Sequence, residues 1–242
     1  MTAAGGGATI VRGGPRLRKA AMIGDRFEDR AHAGRVLGAA MAELGVPSGA
    51  IVVGLPRGGV PVAAEVARAL DLPLDLIVVR KLGLPMQPEL AMGAIASGGA
   101  RVLNEDVIRH LRDPDAVLAE VTRVEREELE RRERVLRPGR PPFRVAGRSV
   151  LLVDDGLATG ATMEVAVRAL RELGATAVFA IAPVASVEAR DRVAAVADRT
   201  YFLAVPRSFS AVGQWYADFS QTSDREVIAA LAGAAQPVHR PC

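Results

Sequence analysis

Two adjacent carboxylates, Asp154 and Asp155, stand directly before a turn of small and hydroxyl-bearing residues, 156–162. Neighbouring carboxylates can bind sugar hydroxyls or a hydrated Mg²⁺. The turn leads into a predicted helix, whose first N–H groups and dipole favour a phosphate. The pattern therefore predicts a site for a ligand that carries both a polyol and a phosphate.

A simpler interpretation is that the two aspartates only cap the following helix and the glycines only make the turn. One aspartate suffices as a cap, and two adjacent carboxylates at a buried strand end repel each other unless a cation or hydroxyls compensate, so we favour a binding site. The turn is not a Walker A loop, since no lysine precedes Thr162, and no GxGxxG sequence follows a strand. Both absences argue against triphosphate hydrolysis and classical dinucleotide binding.

Short apolar runs alternate with helical patterns along the chain, which predicts an α/β fold with a parallel sheet flanked by helices. The predicted strands are 50–55, 74–79, 149–153, 177–182 and 200–205. The predicted helices are 27–44, 60–70, 162–173, 187–197 and 224–231, the last of which is introduced by a capping box of Ser223 and Glu226. Because ligands bind beyond the carboxyl ends of such strands, residues 154–162 lie where a site is expected.

Two segments interrupt this alternation. Residues 80–104 are rich in Gly and Pro and predict a mobile loop that ends in a hairpin around a Gly-Gly turn. Residues 105–137 predict a helical insertion, whose alternating charges are typical of a solvated helix. Residues 1–22 are Gly-rich and basic and predict a flexible arm, which leaves residues 23–242 as a single domain.

The overall charge is nearly balanced, with 31 Lys and Arg against 28 Asp and Glu, and a net charge of +3 does not indicate a nucleic-acid partner. Cys242 is the only cysteine, which excludes intrachain disulfides and a cysteine zinc site and favours a reducing cytoplasm. No apolar run approaches the roughly 18–20 residues of a membrane helix. We therefore expect a cytoplasmic protein without a membrane or nucleic-acid partner.

The stretch LLVDDGLATGATM, residues 151–163, closely resembles the signature of type I phosphoribosyltransferases, which bind phosphoribosyl pyrophosphate (PRPP). The resemblance covers roughly residues 50–205 and implies the fold of that family with a small hood. It implies that Asp154 and Asp155 hold the ribose hydroxyls and Mg²⁺, directly or through water. The implied ligands of the 5′-phosphate are Ala158, Thr159, Gly160, Ala161 and Thr162.

The family also has a pyrophosphate-binding loop after the first strand of its sheet, a place that residues 54–59 occupy here. The resemblance implies a non-proline cis peptide near Pro56-Arg57 or Arg57-Gly58. A mobile loop after the next strand begins with a basic residue in this family, and here it begins with Arg80 and Lys81. The implied pyrophosphate ligands are Pro56, Arg57, Gly58, Arg80 and Lys81, and the implied catalytic residues are Asp154, Asp155, Arg57 and Lys81.

In this family a variable hood covers the base, and residues 206–242 are the candidate here. Within this otherwise aromatic-poor chain, the segment 209–219 carries four aromatic rings. A ring of Trp215 or Tyr216 is the better candidate to stack on a base, and Asp218 to bind an exocyclic amine. The alternative is that these rings only anchor the segment on the core.

The implied activity is transfer of the 5-phosphoribosyl group from PRPP to a nitrogen acceptor such as a nucleobase or amine, with Mg²⁺ as cofactor and release of pyrophosphate. The acceptor stays open, because hypoxanthine–guanine enzymes of the family carry a proton-handling acid where this chain has Ala158. The pattern is most similar to a group of predicted phosphoribosyltransferases without an assigned acceptor. The alternatives are a non-catalytic PRPP-sensing regulator on the same fold and a sugar-phosphate hydrolase, and a homodimer is left open.

Overall fold

The computed structural model of the protein describes residues 9–12 and 26–235. Its strands are β1 (Thr9–Arg12), β2 (Ile51–Gly54), β3 (Leu74–Leu76), β4 (Val79–Leu84), β5 (Gln87–Ala96), β6 (Arg101–Leu103), β7 (Ser149–Val153), β8 (Ala177–Val184) and β9 (Arg199–Ala204). Its helices are α1 (Arg30–Leu44), α2 (Gly59–Leu70), α3 (Glu105–Ile108), α4 (Pro114–Leu136), α5 (Ala161–Glu172), α6 (Val187–Ala194) and α7 (Asp224–Ala232). No helix within the described ranges is long and apolar enough to cross a membrane.

The main sheet has the strand order β1-β9-β8-β7-β2-β3, and every neighbouring pair is parallel. Five of these strands were predicted, which confirms the fold class. The sixth, β1, lies in the predicted flexible arm and pairs with β9 from Thr9 to Arg12, and the rest of that arm lies outside the described residues. The central strands β2 and β7 are neighbours in register, so the loops that follow them lie side by side.

Helices cover both faces of the main sheet, and the side chains of β7 alternate between two apolar clusters. Leu151 and Val153 pack with α1 and α2 on one face, whereas Val150 and Leu152 pack with α5 and α6 on the other. This alternation follows from the two-residue period of a strand and explains why residues 150–153 of β7 are all apolar. The strand ends are therefore held rigidly from both sides.

A second sheet replaces most of the predicted loop at residues 80–104. Strands β4, β5 and β6 form an antiparallel meander, and the predicted hairpin is its β5–β6 half. The predicted strand 74–79 is interrupted after Leu76, and Val79 already belongs to β4. Leu82 and Met92 of this sheet are fully buried. Of the Gly and Pro residues that suggested a loop, Pro85 lies in the tight turn 85–86 and Gly83 lies at the register shifts of β4.

The charged helix α4 lies within the predicted helical insertion 105–137 and begins at Pro114, where Asp113 caps it. Its end is fixed by a buried ion pair, in which Arg137 donates from Nε and Nη2 to the two carboxylate oxygens of Asp75 at 2.8 and 2.7 Å. Arg140 lies 3.8 Å from the same carboxylate and donates to the carbonyl oxygens of Leu74 and Leu231. This cluster joins β3, the segment after α4 and α7.

The hood segment, residues 206–235 of the described chain, consists of a short 3₁₀ helix (Val212–Trp215) and α7. The predicted capping box of Ser223 and Glu226 is present at the start of α7. Three backbone hydrogen bonds of 2.7–2.8 Å join residues 27–28 to the segment 215–218. The chain just before α1 is therefore tied to the hood.

Candidate active site

The carboxylates of Asp154 and Asp155 lie where β7 ends, beside the loop that follows β2. The Asp154 side chain accepts a hydrogen bond from the N–H of Asp155 at 2.9 Å. The Asp155 side chain is 13% exposed and accepts from Nε of Arg30 at 2.7 Å. The Asp155 carboxylate thus has an arginine partner, whereas the Asp154 carboxylate accepts from the backbone N–H of its neighbour.

Burial controls the ionisation of this pair. Burial, together with the nearby Asp155 carboxylate, raises the pKa of Asp154 well above its ordinary value. Burial also raises the pKa of Asp155, although Arg30 opposes the increase by its hydrogen bond and charge. A pair of this kind is electrostatically incomplete and fits a ligand that brings hydroxyls or a cation.

The free protein should therefore become more stable when Asp154 is replaced by Asn. A carboxyl whose pKa is higher in the fold than in the unfolded chain destabilises the fold as the pH rises from about 4 through the raised pKa. The amide removes the buried charge and can keep the hydrogen bond from the Asp155 N–H. We expect Asp154→Asn to raise Tm by about 2–8 °C at pH 8, which corresponds to about 1–2 kcal/mol, and by less near pH 4.

Thermal melts in buffer with EDTA, from pH 4 to 8, measure this difference. The matched control is Glu43→Gln, which neutralises an exposed acid on α1 and should change Tm by little at any pH. A variant no more stable than the wild type at pH 8 would show that burial of the ionised Asp154 carboxylate does not destabilise the free protein.

The loop after β2 contains a cis peptide between Pro56 and Arg57, one of the two positions predicted. The Arg57 side chain is one third exposed and lies 3.7 Å from Asp224 of α7. Gly58 packs so closely on Asp155 that an added Cβ would lie 2.0 Å from its Oδ2 and 3.1 Å from Nε of Arg30. The predicted pyrophosphate loop and the aspartate pair therefore meet at Gly58.

A Gly58→Ala variant should bind PRPP, the ligand that the resemblance implies, more weakly and should turn it over more slowly. The reason is the contact between the added methyl group and the Asp155 carboxylate. The backbone at Gly58 has φ −63° and ψ −34°, which alanine adopts readily, so only the added methyl group is at issue. We expect it to displace the Asp155 carboxylate and to cost about 1–3 kcal/mol of stability, with at least a tenfold loss of PRPP affinity. Calorimetric titration with PRPP and Mg²⁺, together with a thermal melt, measures both.

Gly233→Ala is the control for this prediction, because Gly233 also has a right-handed backbone and its added Cβ meets nothing closer than 3.5 Å. Wild-type affinity in Gly58→Ala would mean that the Asp155 carboxylate does not need its observed position.

The turn after the aspartates is fixed through its neighbours in β8 and α6. Leu157 is buried and exchanges backbone hydrogen bonds with Val184 and Ser186, both of 2.9 Å, and the Ser186 hydroxyl donates to the Ala158 carbonyl at 2.6 Å.

Helix α5 begins at Ala161 without a side-chain cap, so the interpretation of the aspartates as helix caps is wrong. Ala158 and Thr159 are exposed, and Gly160 takes the left-handed conformation that turns the chain into α5. The geometry suits an anion at the start of α5, where Thr162 lies in the first turn.

The two basic residues of β4 differ in their surroundings. Lys81 is exposed and lines a cleft of about 270 Å³ together with Thr162 at the start of α5. Arg80 forms an ion pair with Glu125 of α4, in which Nη2 and Nε lie 2.6 and 2.7 Å from the same carboxylate oxygen. Arg80 therefore joins α4 to β4 and also lines the same cleft as Lys81, and its contact with pyrophosphate stays a prediction.

The predicted base contacts are placed in three different ways. The Tyr216 ring is only 2% exposed, packs between Phe27 and Phe219, and donates from its hydroxyl to the Asp155 carbonyl at 2.5 Å. Burial raises the pKa of the Tyr216 hydroxyl well above the ordinary value, so the hydroxyl stays a donor. The predicted stacking of this ring on a base is therefore corrected: the buried ring supports the Asp155 backbone.

Trp215 is partly exposed, with a buried indole N–H that has no acceptor among the described residues. Asp218 is exposed and accepts from the Ser220 N–H at 2.9 Å, which lowers its pKa.

Arg30 is a site residue that the sequence did not indicate. It is the first residue of α1, follows the capping residue Asp29, and reaches Asp155 across 125 positions of sequence. Helix α1 comes close because Gly34 and Gly38 pack on α2, where an added Cβ would lie 2.7 Å from the Val62 carbonyl or the Ala69 side chain. The two glycines, one turn apart on the predicted helix, were the available signal for a tightly packed α1, and nothing in the sequence indicated its partner.

Comparison with known proteins agrees with this geometry. Residues 48–202 match the family model of the phosphoribosyl transferase domain. Two curated proteins of Mycobacterium tuberculosis, from strains CDC 1551 and H37Rv, are each 48% identical over 205 residues and are provisionally named phosphoribosyl transferases. That match covers 85% of this chain and 46% of each relative, so the chain spans about half the length of the curated relatives it matches. The crystal structure of TT1426 from Thermus thermophilus superposes with a TM-score of 0.79 at 44% identity, covering 87% of this chain and 99% of that one. On its sequence, fold and strand-end loops, the chain belongs to the phosphoribosyl transferase domain family.

Proposed function

We propose that the protein is a Mg²⁺-dependent phosphoribosyltransferase that moves the 5-phosphoribosyl group of PRPP to a nitrogen acceptor and releases pyrophosphate. The observation that carries this proposal is the meeting of two strand-end loops at Gly58, which brings Arg57 and the cis peptide beside Asp155. The turn into α5 offers a separate anion site on the same loop as the carboxylates. PRPP needs these three environments in one place: a pyrophosphate site, a polyol site and a phosphate site.

The reaction is a displacement at the anomeric carbon of the ribose. The acceptor nitrogen supplies the electron pair of the new C–N bond, the C–O bond to pyrophosphate breaks, and pyrophosphate leaves with that electron pair while the nitrogen gives up its proton to solvent. The positive charge that develops on the ring is stabilised by the carboxylates of Asp154 and Asp155, which also hold the ribose hydroxyls. Arg57 and Lys81 offset the negative charge of the leaving pyrophosphate, and the residues 158–162 hold the 5′-phosphate in place.

The carboxylate pair fits a magnesium ion that arrives with its substrate. Among the described residues no group of three or more acidic, His or Cys side chains surrounds a common point, so the protein offers two carboxylates and no complete cage. Magnesium commonly binds through one or two carboxylates and takes its other ligands from water and substrate phosphates. Asp154 and Asp155 would hold it, directly or through water, and it would neutralise charge on the pyrophosphate.

Pyrophosphate release from PRPP with Mg²⁺, measured across purines, pyrimidines and amine donors, tests the proposal. We expect one acceptor class to give turnover well above the rate with water alone. Tight PRPP binding without turnover for any acceptor would favour a PRPP-sensing regulator, and release at the same rate without an acceptor would favour a hydrolase. A rise in Tm on addition of PRPP with Mg²⁺ is the quicker first measurement.

A further inference from the structure

Arg30 lies at the junction of α1, the aspartate loop and the hood. Its Nε donates to Asp155 at 2.7 Å, its Nη1 donates to the carbonyl of Ser220 at 2.7 Å, and its guanidinium lies 3.9 Å from the centre of the Phe219 ring. The Arg30 side chain is 13% exposed. The aspartate loop and the hood, through these three contacts, therefore fix both the position and the plane of this guanidinium.

The guanidinium has hydrogen-bonding capacity to spare. An arginine carries five N–H donors in one plane, and two of them are used, by Asp155 and by Ser220. Within residues 9–12 and 26–235 the other three have no protein acceptor. A shielded cation with unused donors is suited to an anionic ligand that brings oxygen atoms in the same plane.

The open side of Arg30 faces the predicted pyrophosphate loop. Arg30, Arg57 and Gly58 line one pocket of about 380 Å³, together with Asp155. Among the described residues that line this pocket, two arginines face one carboxylate, Asp155, and Arg57 also has Asp224 at 3.7 Å just outside the lining. A doubly or more highly charged oxyanion matches this pocket, whereas a neutral ring does not.

We propose that Arg30 is a pyrophosphate-binding residue that holds Asp155 at the same time, an assignment that rests on the proposed function. Its fixed plane lets it donate to Asp155 and to a pyrophosphate oxygen at the same time. One side chain then contacts both the leaving pyrophosphate and the carboxylate that faces the ribose. Arg80 is paired with Glu125 and does not line this pocket. Arg30 reaches the pocket from a helix that precedes the family-matched segment, residues 48–202.

The test compares two ligands that represent the two halves of PRPP. Pyrophosphate with Mg²⁺ and ribose 5-phosphate with Mg²⁺ are titrated calorimetrically into wild type and Arg30→Met. Loss of a charge-assisted hydrogen bond should weaken pyrophosphate binding about 10- to 100-fold. Ribose 5-phosphate binding should weaken by a clearly smaller factor, because Arg30 acts on the ribose hydroxyls only through Asp155. Arg35→Met is the matched control, since Arg35 is exposed on the same helix and should change neither affinity.

The outcomes separate this proposal from the proposed function. Equal weakening of both ligands in Arg30→Met, or of neither, overturns the role of Arg30 while wild-type binding leaves the proposed function standing. A wild type that binds neither ligand overturns both. If Arg30→Met does not fold, Arg30→Lys replaces it, because lysine keeps the charge beside Asp155 but lacks the planar fork that reaches Asp155, Ser220 and a ligand together. It too should lose pyrophosphate affinity selectively, and unchanged affinity would contradict the proposal.

Discussion

The double variant Asp154→Asn/Asp155→Asn should lower the rate of pyrophosphate release by at least about a thousandfold. The reason is that the transition state carries positive charge on the ribose ring, and the two carboxylates are the negative groups that form the predicted ribose site. Removing one such preorganised electrostatic contact typically costs a factor of about 10²–10³ in rate. The amides also remove the two negative charges that would hold Mg²⁺.

The fold should survive this double substitution, which makes the loss interpretable. Asn at position 154 relieves a buried charge whose pKa is raised by burial and by Asp155, so it should stabilise the free protein. Asn at position 155 loses its ion pair with Arg30, a cost that offsets part of this gain. We therefore expect a Tm close to that of the wild type.

Pyrophosphate release with the best acceptor, together with melts in the presence and absence of PRPP and Mg²⁺, measures both effects. The wild type should melt at a higher temperature with PRPP and Mg²⁺, and the double variant should not respond. Glu43→Gln, with its exposed acid on α1, should behave like the wild type in both measurements. Full activity in the double variant would mean that the site lies elsewhere.

The predictable part of this site is the part that one short stretch of chain builds. The strand β7, its two carboxylates and the turn into α5 follow one another from residue 149 to 162, so strand hydrophobicity and helix-start chemistry place them without long-range information. The cis peptide at Pro56-Arg57 followed from resemblance and not from local physics. The loops meet because β2 and β7 pair, which the predicted parallel sheet allowed but did not specify.

Long-range packing decided what the sequence did not predict. Arg30 reaches Asp155 only because the glycine face of α1 packs on α2 and residues 27–28 pair with the hood. The ring of Tyr216 turned inward because Phe27 and Phe219 enclose it, and aromatic composition does not distinguish a ring that faces a ligand from one that supports a loop. In β4 and β5, Gly and Pro mark a turn and register shifts, and the loop prediction gave them more weight than the buried Leu82 and Met92.

Replacing Asp75 by Ala should destabilise the protein by about 3–5 kcal/mol, which lowers Tm by about 6–20 °C. The Asp75 carboxylate is 5% exposed and accepts two hydrogen bonds from Arg137, whose side chain is 6% exposed. Without the carboxylate, Arg137 stays buried, and the Pro141 carbonyl is its one remaining hydrogen-bond acceptor among the described residues. Burial already lowers the pKa of Arg140 beside it, so a second uncompensated cation makes the region still less favourable. Urea unfolding and thermal melts measure the loss.

Two controls distinguish the buried charge from loss of packing. Glu120→Ala removes an exposed partner of Arg123 on α4 and should change stability by less than about 1 kcal/mol. The pair Asp75→Leu/Arg137→Met replaces both ions with apolar side chains of similar volume, and Arg140 keeps its carbonyl acceptors at Leu74 and Leu231. Since no uncompensated Arg137 remains, the double variant should be more stable than Asp75→Ala and close to the wild type. If it is as unstable as Asp75→Ala, then specific hydrogen bonds, and not the buried charge, hold β3, the segment after α4 and α7 together.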